Sequence, residues 1–195
     1  MTYGEIKRAV LELIDQHSAA GTEIAATYNN QADALSRLPG FVNAALSEIR
    51  TVVPDHAVHH ADLTDRSEYG WISVRLPDDC QRILFGGVRK ITPNGPEPCP
   101  LEQRVVWDQE ILLKPGEYFI PYVRCPQRLP VSPTPPDTYD LRERPDVLDC
   151  AFCQAAARLV MREDEFTYAA LMNEYESRLA RLVPQPTAEY IPIVC

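Results

Sequence analysis

No stretch of this chain approaches the ~20 consecutive apolar residues that a membrane-spanning helix requires, so no membrane span is expected. The opening residues, Met1-Thr2-Tyr3-Gly4-Glu5-Ile6-Lys7-Arg8, enter an amphipathic pattern directly, without the apolar core of a signal peptide. The expectation is an intracellular, soluble protein. A basic excess is missing too: 19 Lys and Arg stand against 28 Asp and Glu, a net charge of −9. That is the opposite of the basic face of a general nucleic-acid binder. Glycine is sparse, with 8 residues, and the Gly86-Gly87 pair in Phe85-Gly86-Gly87-Val88 has neither a following Lys-Ser/Thr nor a helix signal. A phosphate-cradling loop is therefore excluded, and a β-bulge or tight bend is expected there. Neither a G-x-S-x-G elbow nor an H-E-x-x-H zinc motif occurs.

Six cysteines are present: Cys80, Cys99, Cys125, Cys150, Cys153 and Cys195. Cys150-x-x-Cys153 is their one close pair, and without a second pair it makes no zinc ribbon. It falls inside a helical pattern beside Ala156 and Ala157, where thiols pack as small hydrophobes, with a redox or metal role as the alternative. An intracellular setting favours reduced thiols throughout. The densest set of ligand-type residues is His56-Ala57-Val58-His59-His60-Ala61-Asp62. Imidazole and carboxylate suit a divalent transition metal. The segment follows Pro54, however, and reads as a solvated loop or first strand, with a metal-dependent enzyme as the rival interpretation.

What the chain does contain is periodicity, of two kinds. Tyr3, Ile6, Val10, Leu13 and Ile14 form one helical stripe, with Thr2 and Glu5 spaced as a capping box. A second helix is expected from Asn29-Asn30 to Thr51 or Val52, with Leu35, Leu38, Val42, Ala45, Leu46 and Ile49 as its stripe. Pro39-Gly40 should make it kink or restart. From about residue 55 the period changes to strands: Gly70–Leu76, Gln81–Arg89, Gln103–Trp107, Glu110–Leu113 and Glu117–Val123. With no helix between them, they should be antiparallel. Lys114-Pro115-Gly116-Glu117 and Asn94-Gly95 mark turns, and Trp71 and Trp107 should flank the core of this region. Pro130, Pro133, Pro135 and Pro136 make a stiff exit linker. Helical periodicity returns at Pro145–Met161 and, after the acidic turn Arg162–Glu165, at Phe166–Val183 with Tyr168, Leu171, Met172, Tyr175, Leu179 and Leu182 on one face.

The fold class is accordingly α+β: a small helical bundle from 1–54 and 137–183, an antiparallel β-rich insertion at 55–136, and an extended tail at 184–195. Charge is spread over these parts, −2 for 1–53, −2 for 54–136, −4 for 137–183 and −1 for the tail. An acidic tail is excluded, and mixed surfaces are expected.

The order of parts resembles the head–tail connector proteins of tailed bacteriophages and prophages, also called adaptor, neck or head-completion proteins. The residues that carry the resemblance are the Tyr3-Gly4-Glu5-Ile6 helix, the second helix with Leu38-Pro39-Gly40-Phe41-Val42-Asn43-Ala44-Ala45-Leu46-Ser47-Glu48-Ile49, and the Tyr118–Val123 strand leading through the Pro-rich linker to Tyr139-Asp140-Leu141. Val147-Leu148-Asp149-Cys150-Ala151-Phe152 then opens a helical hairpin that ends in Asn173–Leu179. The resemblance implies a homo-oligomeric ring, often dodecameric, beneath the portal protein at the head–tail junction of the virion. It implies no catalysis and no cofactor, DNA passing through the channel without specific binding, and the tail or a stopper protein docked below. Another neck or tail-completion protein is the nearest alternative within the virion.

The expected partner-binding residues are Tyr190, Ile191, Pro192, Ile193 and Val194. They end the chain in an apolar, proline-stiffened segment with no helix to bury it.

Overall fold

The computed structural model describes residues 1–17, 28–64, 70–100, 102, 104–107 and 109–183. The chain is α+β and divides into two compact units: a helical one built from Met1–Val53 and Pro126–Cys195, and a β-rich one, Pro54–Cys125.

Four helices are described in the helical unit, α1 (Tyr3–His17), α2 (Tyr28–Val52), α3 (Pro145–Val160) and α4 (Glu165–Leu182). The third is the axis, in contact with each of the other three. From Cys150 to Ala157 every residue of α3 is buried, more than two turns without a solvent-facing position. Ala151, Ala155, Ala156 and Ala157 keep that helix thin enough for neighbours to approach from several sides, and Phe152 fills the remaining volume. Against it α1 sets Tyr3, Ile6, Val10 and Ile14, α2 sets Leu38, Val42, Ala45, Leu46 and Ile49, and α4 sets Leu171 and Tyr175. Leu13 and Leu179 only border this core, half-buried.

Local chemistry explains the helix ends. Thr2 and Glu5 form the expected capping box, the Thr2 N–H donating to Glu5 Oε2 at 2.8 Å and the Glu5 N–H to Thr2 Oγ1 at 3.3 Å. Asp164 caps α4, accepting from the Thr167 N–H at 2.9 Å and the Thr167 hydroxyl at 2.5 Å. Those bonds hold its carboxyl below the usual carboxylate range. Pro39 does not make α2 restart: the helix runs through it. A proline at 39 leaves the Leu35 carbonyl without its helical donor, and the Tyr3 hydroxyl supplies one at 3.2 Å. A tyrosine on α1 thus completes a hydrogen bond that the sequence of α2 omits.

The exit linker packs with the helices. Leu129 is buried in their core, and the Asn43 side chain grips its backbone on both sides, donating to the Leu129 carbonyl and accepting from its N–H, each at 2.8 Å. The helical unit therefore begins again at Pro126, not at the 137 expected from composition. A buried Arg50–Glu143 ion pair lies beside the chain's points of exit and return. Arg50 also reaches the Val53 carbonyl at 3.4 Å, and Glu143 accepts from the Gln127 N–H at 3.1 Å. Leaving either charge alone would cost about 3–5 kcal/mol.

In the β unit, strands β1 (His56–Asp62), β8 (Glu117–Arg124), β4 (Arg89–Thr92) and β5 (Gly95–Pro98) form one antiparallel sheet in that order, with β3 (Cys80–Ile83) also on β8. A second antiparallel sheet runs β2 (Ile72–Arg75), β7 (Glu110–Leu113), β6 (Arg104–Trp107). Ala61, Tyr118 and Ile120 from the first sheet share a core with Val74, Ile111 and Leu113 from the second. Gly116, between β7 and β8, has φ +145°, a conformation side chains rarely adopt.

The expected single strand Gln81–Arg89 is two. Pairing passes from Ile83↔Tyr122 to Arg89↔Phe119, six steps along this segment against three along β8, and the surplus holds a 3-10 turn at Phe85–Gly87. The cause is Pro121. Its carbonyl accepts from the Leu84 N–H at 2.9 Å, so the N–H it lacks is missing on this same side of β8. Gly87 fills the gap against the proline ring, where an added Cβ would meet Pro121 Cγ at 2.6 Å. Trp71 does not border the core; it is 45% exposed, with Lys114 Nζ 5.8 Å from its ring centre.

Leu46→Ala is expected to cost ~2–5 kcal/mol in urea unfolding, and Leu179→Ala distinctly less. Equal losses at the two positions would contradict this placement of the core.

Candidate functional site

The histidine segment is an edge strand, and strand geometry sets His59 apart from its other ligand-type side chains. Alternate residues of a strand face opposite ways. His56, Val58, His60 and Asp62 share the exposed face, while His59 lies on the other face with Ala57 and the buried Ala61. His60 is engaged across the sheet, its Nε2 2.6 Å from Glu117 Oε1 and its ring centre 5.4 Å from that of Phe119. Asp62 is held below its ordinary range by the Thr64 hydroxyl and N–H, which bond it at 2.7 and 3.1 Å. Among the described residues no group of three or more His, Cys, Asp or Glu is disposed to hold a metal ion.

The two cysteines of the C-x-x-C spacing sit fully buried in the core around α3. Cys150 donates to the Tyr175 carbonyl at 3.8 Å. Burial pushes its thiol up to about 12, with Cys153 adding to the effect, and pushes Cys153 up to about 11. Since the thiolate is the reactive form, both are inert at neutral pH. Cys80, Cys99, Cys125, Cys150 and Cys153 are all free; Cys195 lies outside the described residues.

Among the described residues, shallow, open grooves lie on the helical unit. One, of about 550 Å³, runs along α1 past Gly4, Lys7, Arg8, Leu11 and Asp137, and the Lys7–Asp137 ion pair at 2.6 Å crosses it. Another, of about 430 Å³, lies at the α3–α4 turn beside Met161, Glu165 and Tyr168. Next to it Met161 and Phe166 are exposed by 52% and 67%. At the solvent-facing side of the α2–α3 contact, the exposed Glu48 accepts from Gln154 at 2.5 Å and Arg158 at 2.8 Å. Burial, then the charge of Glu48, pushes the Tyr175 hydroxyl up to about 12. The Glu48 bonds join α2 to α3, and none of these groups lines either groove.

The expected partner-binding residues, Tyr190, Ile191, Pro192, Ile193 and Val194, lie outside the described residues. Within them, the feature best suited to binding is the free edge of β1. The Arg124 N–H donates to the Asp55 carbonyl at 2.8 Å and the Leu63 N–H to the Gly116 carbonyl at 2.9 Å. Those two bonds, with the regular register between them, direct the backbone of odd-numbered β1 residues toward β8. The N–H and C=O groups of His56, Val58, His60 and Asp62 therefore point away from the sheet. Of the solvated loop or first strand that the sequence allowed, the structure forms the strand; the open edge is what the sequence reading missed. The signal was present as Ala57 and Ala61, two small residues at even spacing that suit a covered face.

Comparison with protein-family models and with curated proteins returns no match to this chain. No helix among the described residues is long and apolar enough to cross a membrane.

Residue-by-residue mapping of thiol modification at pH 8 should find the exposed Cys125 labelled in the folded protein, with Cys150 and Cys153 labelled only as it unfolds. Labelling of all three at one rate would contradict the packing around α3.

Proposed function

We propose that this chain is a head–tail connector of a tailed bacteriophage or prophage, a structural virion protein made in the host cytoplasm. Copies form a ring, a dodecamer in the arrangement the resemblance implies, under the portal protein. The ring lengthens the DNA channel and gives the tail or a stopper protein its docking surface. The observation that carries the reading is the order of parts. A helical unit is assembled from both ends of the chain around α3, a separate β unit departs after Val53 and returns at Pro126, and an apolar segment follows α4.

The residues behind the resemblance have matching mechanical roles. Leu38, Val42, Ala45, Leu46 and Ile49 are buried on one face of α2, and Asn43 on the same helix fastens the returning linker. A closed ring requires each copy to repeat one patch-to-patch contact with the next. DNA sliding through it requires a lumen that does not hold phosphates, and a chain of net charge −9 is suited to that. The work is mechanical, so no catalytic residue, metal or cofactor is assigned. A metal-dependent enzyme at residues 56–62 would have to work without His59, which the strand sets on the opposite face from His56, His60 and Asp62.

In this reading the segment from Pro184 to Cys195 is the docking arm. Deleting residues 185–195 should leave a folded subunit, while filled heads accumulate without tails in an assembly reaction. Normal head completion by the truncated chain would refute that role.

A further inference from the structure

The two outer edges of the β1–β8–β4–β5 sheet are built differently. On β5 the Cys99 N–H donates to the Val88 carbonyl at 3.0 Å. With the pairing Arg89↔Pro98 to Thr92↔Gly95, this turns the backbone of Gly95 and Glu97 toward β4 and that of Pro96 and Pro98 outward. Proline has no N–H to offer, so the β5 edge is closed to a further strand. On β1 the outward residues are His56, Val58, His60 and Asp62, none of them proline, over seven residues in unbroken register with β8. Beside this edge the Val58 side chain is 62% exposed. The outer strands of the other sheet, β2 and β6, have only four residues each. Among the described strands, β1 alone combines length, regularity and a full outward set of donors and acceptors.

We infer that the β1 edge is the acceptor for residues 189–195 of a second copy, which add to it as a further strand. This rests on reading the C-terminal segment as a docking arm, and it names the surface that receives it. Three features favour that occupant. Glu189-Tyr190-Ile191-Pro192-Ile193-Val194-Cys195 has seven residues, the length of β1. Its apolar side chains would cover Val58 on one face. And Pro192 is compatible in one parity only: with residue 192 facing away from β1, the N–H groups of Ile191 and Ile193 face it. Strand addition supplies main-chain bonds for affinity and alternate side chains for specificity. Joining the arm of one copy to the sheet of the next is also a heterologous contact, the type that a ring repeats.

The test is sedimentation velocity of the full-length protein over a concentration series, beside Val58→Pro. Residue 58 gives no hydrogen bond to β8, so proline there should preserve the melting temperature and abolish self-association. Synthetic peptide 184–195 should dissociate the wild-type oligomer. The same peptide N-methylated at Tyr190 and Val194 should do so equally well, whereas N-methylation at Ile191 and Ile193 should weaken it by about tenfold or more. These peptides probe the edge without altering the fold, should Val58→Pro unfold the protein. Self-association indifferent to Val58→Pro, or peptides whose potency ignores the methylation pattern, would overturn the inference while leaving a ring possible by another contact. A chain that stays monomeric while its deletion of 185–195 still blocks head joining places the arm on a different protein, and again only this inference falls. A full-length chain that remains monomeric and binds its own arm would overturn it as well.

Discussion

Burial of α3 on every side is the constraint from which the helical unit follows. A helix with an uninterrupted buried stretch from Cys150 to Ala157 has no stable position at a surface; it must be surrounded before it is worth forming. α4 is supplied through the short capped turn at Asp164, but α1 and α2 come from the other end of the chain. Helical folding therefore requires the N-terminal segment and the residues after Pro126 to meet, whatever lies between them. The β unit can be an insertion because the Arg50–Glu143 pair and the Asn43–Leu129 clamp fasten both crossings to the helices.

Much of this was legible in advance, because periodicity and caps are local. The Thr2/Glu5 box sits where its spacing put it, Glu110–Leu113 is a strand with those bounds, and α3 and α4 lie within a residue or so of the expected limits. The errors share a cause: each turned on a partner distant in sequence. A restart at Pro39 was open because the hydroxyl that satisfies the Leu35 carbonyl belongs to Tyr3. Gln81–Arg89 looked continuous because the missing N–H that interrupts it belongs to Pro121 on another strand. The stiff exit linker was grouped with the insertion because Leu129 gives no hint that Asn43 is waiting for it.

The candidate site was less legible than the fold. A cluster of three histidines and an aspartate draws attention as chemistry, yet alternation along β1 sends His59 to one face and His56 and His60 to the other. What distinguishes the segment is its backbone, and backbone direction is invisible until the register with β8 is known. The Cys150–Cys153 pair was read more accurately, since small residues around it at helical spacing already described an interior. One edge of the sheet is closed by prolines and the other is open, so a strand can be added on one side only.

The central claim is that this protein is a virion part at the head–tail junction. Electron microscopy of particles bearing a gold-labelled tag on this chain tests it most directly. The account predicts label at a single vertex of each particle, between the filled head and the tail, and rotationally symmetric density for the chain around the channel there. Label spread over the head or along the tail, or particles without label, would contradict it.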